Sequence, residues 1–177
     1  MNTSVFASSL AVAALLSACA SARPGPTAAA TLRPTRGNTA AGVVTFEQTG
    51  PGHVQVRGQL RGLKPNQAHG FHAHEKGDCS SADGTSAGGH FNPGGETHGH
   101  ASHAHHHAGD FPVVVADANG MAELRFEVDG VSIGAGAGDL VGRGLILHAN
   151  PDDYTTQPTG NSGARIACGV IERASNN

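Results

Sequence analysis

Apolar and polar residues alternate in short runs along most of this chain. The segments "AGVVTFEQ", "HVQVRGQL", "AHGFHAHE", "FPVVVAD", "AELRFEVD", "GLILHAN" and "ARIACGVIE" recur along it. Most of them follow the period of two that puts successive side chains on opposite faces of a strand. "TGPG", "DANG" and "VSIGAGAGD" separate them, and such Gly, Asn and Asp clusters mark turns. Long amphipathic helical patterns are hard to find. Seven or eight short strands with Gly-rich connections predict an all-β domain, an eight-stranded antiparallel Greek-key barrel or sandwich. Two intervals break the rhythm, Lys76 to Asp110 and Pro151 to Ala164. Both are too long for hairpin turns, and long loops in a compact domain are usually functional.

The amino-terminal part reads differently. Residues 1–19 contain "VFASSLAVAALLSAC", an apolar run too short to span a bilayer that ends in small residues, the shape of a secretory signal. Its last four residues, Leu16-Ser17-Ala18-Cys19, resemble a bacterial lipobox, in which the peptide is cut before a cysteine that then carries lipid. No Lys or Arg precedes Arg23, so the usual basic start is missing, and a plain secreted protein cut elsewhere stays open. Residues 20–38 are mostly Ala, Pro, Thr and Arg without apolar periodicity and read as a flexible tether. Residues 39–177 are left as one domain. The expectation is an exported, periplasmic lipoprotein held to the membrane through Cys19.

With Cys19 taken by lipid, Cys79 and Cys168 remain as a pair in an oxidising compartment. Closing a loop of that size is worth roughly 4–5 kcal/mol in the chain-entropy model. The net charge of −3 offers no basic patch for nucleic acid. A monomer and a homodimer both fit, because apolar edge positions cannot be told from core positions.

Histidine changes the picture most. "HGHASHAHHHAGD", from His98 to Asp110, holds six of the chain's twelve histidines. In "GFHAHE", a strand would point His72 and His74 to one face and Phe71 and Ala73 to the other. Two imidazoles about 6.6 Å apart along a strand can converge on one ion with bonds of about 2 Å. A surface pair is the commoner explanation of a lone His-x-His. His148 at the end of an apolar strand and His90 in "AGGHFNP" turn the balance towards a metal. An all-imidazole site suits copper or zinc, and Asp110 among imidazoles suits a tetrahedral zinc site. Histidine ligands need carboxylates to fix their tautomers, and "NPDDY" offers Asp152 and Asp153 just after His148.

"GFHAHEKGDCS", "AGGHFNP", "HAGDFPVV", "GRGLILHANPDDY" and "PTGNSGARIACGVIE" occur in the order and spacing of the copper/zinc superoxide dismutases. The chain resembles that family's exported bacterial branch from about Ala41 to Glu172. The resemblance implies copper ligands His72, His74, His90 and His148, and zinc ligands His90, His98, His107 and Asp110, with His90 shared. It implies that Asp152 links His72 to His98 and that Arg165 docks the anionic substrate, superoxide. It pairs Cys79 with Cys168 and gives His69 a bracing role on the backbone. Dismutation to dioxygen and hydrogen peroxide would follow, with His90 moving a proton.

Two features depart from the pattern. The second long loop has no lysine or glutamate before Arg165, and the only lysines are Lys64 and Lys76. The zinc loop carries more histidines than the family needs. His100, two residues from His98, is the nearest rival ligand, and His103, His105 and His106 are unassigned. A metal-buffering or metal-delivery protein on the same scaffold is the competing reading. A catalytically dead relative is the other, although such relatives lose copper ligands or the arginine.

Overall fold

A computed structural model describes residues 25–174. The expected signal and Cys19 lie outside the described residues. The strands are β1 (Thr27–Pro34), β2 (Ala41–Gly50), β3 (His53–Arg61), β4 (Ala68–His69) and β5 (Phe71–His74), followed by β6 (Val114–Val115), β7 (Ala122–Asp129), β8 (Gly144–His148), β9 (Arg165–Val170) and β10 (Glu172–Arg173). A single 3₁₀ turn, Thr85–Ala87, interrupts the loop between β5 and β6. Eight strands form one curled antiparallel sheet in the order β5-β8-β9-β1-β2-β3-β7, with β10 beside β1. The short pair β4 and β6 stands apart from it.

Alternation places the core. Val44 and Phe46 on β2, Val54, Val56 and Leu60 on β3, and Leu124 and Val128 on β7 all point inward and are buried. Each such side chain stabilises the fold by roughly 1.5–3 kcal/mol relative to exposure. β8 is covered on both faces: Leu145 and Leu147 join this main core, while Ile146 packs with Ala87 and Cys168 beneath the long loop. The loop is fastened there by the Cys79–Cys168 disulfide, whose Cα atoms are 5.8 Å apart.

Much of the expected tether is a strand. β1 fills residues 27–34 and pairs with β2 along one edge, and with β10 and then β9 along the other. Ala28, Ala30 and Leu32 alternate inward and are each about 1% exposed. The period of two was present, but it is written mainly in alanine, whose small apolar surface does not stand out from a low-complexity run. "FPVVVAD" yields only the two-residue β6, and Gly70 divides "AHGFHAHE" into β4 and β5.

Candidate metal centre

β5 obeys the alternation expected of it. Phe71 and Ala73 enter the core, and His72 and His74 face the other way, under the two long loops. On the neighbouring β8, His72 lies opposite Ile146, and His148 follows two residues later on the same face. Three imidazoles therefore project from one patch of sheet. Ring centroids are 4.9 Å apart for His72 and His148, and 5.6 Å apart for His74 and His148.

His90 and Asp110 reach that patch through backbone pairing. The free edge of β5 is continued by two loop segments: Phe91 N–H donates to Ala73 O (2.8 Å), Ala73 N–H to Gly109 O (2.9 Å) and Gly109 N–H to Phe91 O (2.9 Å). Isolated bridges pair His74 with His90 and His72 with Asp110. Phe91 and Phe111 turn into the core beside these residues and anchor them, with the Phe111 ring 5.8 Å from that of Phe71. Gly109 has to be a glycine, because a Cβ there would collide with the Ala73 carbonyl.

Two clusters result. His72, His74, His90 and His148 each offer a nitrogen within one small volume, and His90, His98, His107 and Asp110 offer a second set, all seven residues buried. His90 belongs to both. Its ring lies 4.0 Å from His72 and 5.0 Å from His74 on one side, and 5.3 Å from His98 and 5.4 Å from His107 on the other. His100 stays outside, half-buried with its ring 4.5 Å from Tyr154. A third group, His53 with Glu127 and Asp129, is exposed on the outer sheet face, where His53 Nδ1 is already paired with Asp129 (2.7 Å).

The hydrogen bonds leave chosen nitrogens open. His74 Nδ1 donates to Gly88 O (2.9 Å) and His148 Nδ1 to Gly163 O (3.2 Å). His72 Nε2 lies 2.6 Å from Asp152 Oδ2, and His98 Nε2 lies 2.9 Å from Asp152 Oδ1. The opposite nitrogens, His72 Nδ1, His74 Nε2, His90 Nε2, His98 Nδ1 and His148 Nε2, are buried without a hydrogen-bond partner. Leaving one buried polar group unsatisfied costs about 1–3 kcal/mol, so five in one place are a preparation for a ligand. Around Asp110 the contacts crowd: His90 Nδ1 at 2.7 Å, His98 Nδ1 at 3.0 Å but out of line for a hydrogen bond, and His107 Nδ1 at 3.3 Å. Asp110 Oδ2 also accepts from the N–H groups of Gly99 (3.1 Å) and His107 (2.8 Å).

Charge follows the same division. Burial lowers His148 to a pKa of about 3, helped by His72, His90 and Arg165, and lowers His90 to about 4 against the pull of Asp110. His72 and His74 are lowered too, chiefly by burial. These imidazoles are neutral at pH 7, as metal ligation requires. Burial also acts against His98, but the carboxylates of Asp110 and Asp152 outweigh it and raise it to about 9. Burial would raise Asp110, yet its bonds with His107, His90 and His98 hold it far below the usual carboxylate range. A fixed anion amid imidazoles suits a divalent ion.

Supporting groups come from the rest of the chain. Arg165 donates from Nη1 to Gly84 O (2.7 Å) and from Nη2 to Gly88 O (2.6 Å). His69 Nδ1 donates to His148 O (2.8 Å). Asp153 is exposed and caps the turn at Thr155 and Thr156, so the two aspartates of "NPDDY" do different work. Gly160 has a φ of 65°, and a Cβ there would strike Asp152. Sequence reasoning missed Gln157, which clamps the backbone of His98 by accepting from its N–H (2.9 Å) and donating to its carbonyl (2.9 Å). It also missed Tyr154, whose hydroxyl accepts from Val113 N–H (3.0 Å). Neither residue lies in a pattern that announces such a role.

Comparison with known proteins agrees with the geometry. A family model described as copper/zinc superoxide dismutase (SODC) matches residues 40–171. The chain is 39% identical over 122 residues to superoxide dismutase [Cu-Zn] 2 of Aquifex aeolicus (strain VF5), covering 67% of this chain and 71% of that protein. The crystal structure of the clock protein EA4 superposes with a TM-score of 0.76 at 40% identity, covering 84% of this chain and 94% of that one. The chain belongs to the copper/zinc superoxide dismutase family, whose enzymes use copper and zinc.

Proposed function

We propose that His72, His74, His90 and His148 hold the copper, that His90, His98, His107 and Asp110 hold the zinc, and that His90 is the imidazole shared between them. The buried nitrogens without hydrogen-bond partners support this most: in His72, His74, His98 and His148 the opposite ring atom is already held by an oxygen acceptor, as ligating histidines require, and in His90 it faces Asp110 of the zinc set. Bound copper supplies the Cu(II)/Cu(I) couple by which one superoxide is oxidised and the next reduced, while zinc has no redox chemistry and keeps its ligands in place. In sum, two superoxide anions and two protons give one dioxygen and one hydrogen peroxide.

The chain's own groups do the rest. His90 Nε2 would take up a proton after the first superoxide is oxidised and give it to the peroxide formed from the second, with the other proton coming from water. Burial makes that proton easy to give up. Meanwhile Nδ1 of the same ring stays beside Asp110, so the ring keeps its place. Arg165 presents a half-buried cation, fixed by two carbonyls, to the anionic substrate. In a protein of net charge −3, this local charge must outweigh the background field.

The assignment is tested by metal analysis of two variants. His148→Ala should lose copper and dismutation while keeping zinc, and His107→Ala should lose zinc first. Full copper content in His148→Ala would remove that residue from the copper set.

The same reading places the enzyme outside the cytosol. The Cys79–Cys168 disulfide supports an oxidising compartment, and Leu16–Cys19 supports lipid attachment in the periplasm. Cys19→Ser should release the protein from membranes into the soluble fraction. Continued membrane association would point to another anchor.

A further inference from the structure

We propose that the loop between His98 and His107 is a zinc-collecting station, which holds incoming ions weakly at the surface and passes them to the buried cluster. The proposal rests on the reading of His98 and His107 as zinc ligands. Within this loop His103 and His105 are exposed, and His100 and His106 are half-buried.

Two of these imidazoles are set up as the buried ligands are. His105 Nδ1 lies 2.8 Å from Glu96 Oε2 and His106 Nδ1 lies 2.7 Å from the carbonyl of His107, whereas His100 Nδ1 accepts from the Ser102 N–H (3.1 Å), which leaves the proton on Nε2. An oxygen that holds the Nδ1 proton makes Nε2 the lone-pair nitrogen and turns it outward to an ion, the arrangement that orients metal-bound histidines. His74 and His148 follow the same scheme at the buried site. Ordinary solvated histidines need no such partners. Glu96 is itself held in place, because Asn92 donates to its carbonyl (2.8 Å) and accepts from its N–H (3.0 Å).

The loop histidines do not converge into a closed set. His100 and His103 have ring centroids 5.5 Å apart across a turn closed by His103 N–H donating to His100 O (2.8 Å). His105 and His106 each offer a single Nε2, its ring held from the far side by an oxygen. One imidazole falls far short of the four ligands of a closed zinc site, so each holds an ion loosely, as transfer demands. Imidazole suits zinc. The route is short: both ends of the loop are zinc ligands, and Asp110 accepts hydrogen bonds from Gly99 at one end and His107 at the other. His98, His107 and Asp110 are each 5% exposed or less, so an ion must enter past this cover.

The test uses zinc itself as the probe. Holoprotein with both clusters filled is titrated with zinc by calorimetry, and metal-free protein is mixed with zinc held by a coloured chelator to follow uptake. The variants are His103→Gln/His105→Gln, which changes exposed side chains only, and the quadruple variant that adds His100→Gln and His106→Gln. Wild-type holoprotein should take at least one further exchangeable zinc, and the quadruple variant should take none. Both variants should keep the tight zinc, and their uptake at limiting zinc should slow, roughly ten-fold in the quadruple variant, as the effective concentration supplied by a tethered ion is lost. A holoprotein that takes no further zinc overturns the proposal, as does quadruple-variant uptake at the wild-type rate. Loss of the tight zinc in the quadruple variant also overturns it, because one of the four would then be a true ligand. A His98→Ala protein that keeps its tight zinc would instead overturn the ligand assignment beneath the proposal.

Discussion

Arg165 and His74 are held by the same oxygen. The Gly88 carbonyl accepts from Arg165 Nη2 at 2.6 Å and from His74 Nδ1 at 2.9 Å. The cation proposed to attract the substrate and a ligand of the proposed copper site are thereby fixed to one point of the loop. That loop is fastened by the Cys79–Cys168 disulfide to β9, the strand that begins with Arg165.

Reversing that charge should show in the kinetics. Arg165→Glu is expected to slow dismutation by about ten-fold or more at low ionic strength, within the range of electrostatic steering. Because salt screens attraction and repulsion alike, the wild-type rate should fall with added salt and the variant's should rise. Pulse radiolysis across a salt series checks both signs. An unchanged rate at low salt would take Arg165 away from the substrate.

A second cation stands near Arg165. Arg36 lines a surface cleft together with Arg165, Gly163 and Asp83. Arg36→Glu should lower the rate several-fold at low salt, on the order of the weaker steering effects, and the difference should vanish in high salt. Equal low-salt rates for variant and wild type would leave steering to Arg165 alone.

Asp152 ties the two clusters together through His72 and His98. Removing such a carboxylate typically costs 10–100-fold in metal affinity, so Asp152→Ala should weaken zinc binding by about that factor in chelator competition. Asp153→Ala is the control, since that side chain serves only a surface turn. Equal zinc affinities in the two variants would contradict the linking role.

The strand inside the expected tether gives a prediction about stability. Leu32 is 1% exposed in the main core, and Leu32→Ala should cost about 2–5 kcal/mol. Denaturant unfolding of the metal-free protein measures it. A tether residue would show no loss.

Legibility in the sequence followed the range of each interaction. His72, His74 and His148 could be read because strand alternation is local and their neighbours Phe71, Ala73 and Leu147 are plainly apolar. His90 and Asp110 could be picked out as metal-binding types, but not how they arrive, because the Ala73–Gly109–Phe91 ladder is made of backbone atoms. β1 was hidden because alanine packs a tight core without raising the hydropathy signal. Gln157, Tyr154 and the Gly88 carbonyl act across the fold through contacts that no spacing encodes.

The central claim is that one ring, His90, joins the two metal sites. It is tested most directly by electron paramagnetic resonance on protein carrying Cu(II) in the copper set and Co(II) in place of zinc. A shared imidazole couples the two spins, so the Cu(II) signal of the wild-type protein should be largely quenched. It should return in a His90→Ala variant shown by metal analysis to hold both ions. A full, uncoupled Cu(II) signal in the doubly loaded wild-type protein would contradict the bridge.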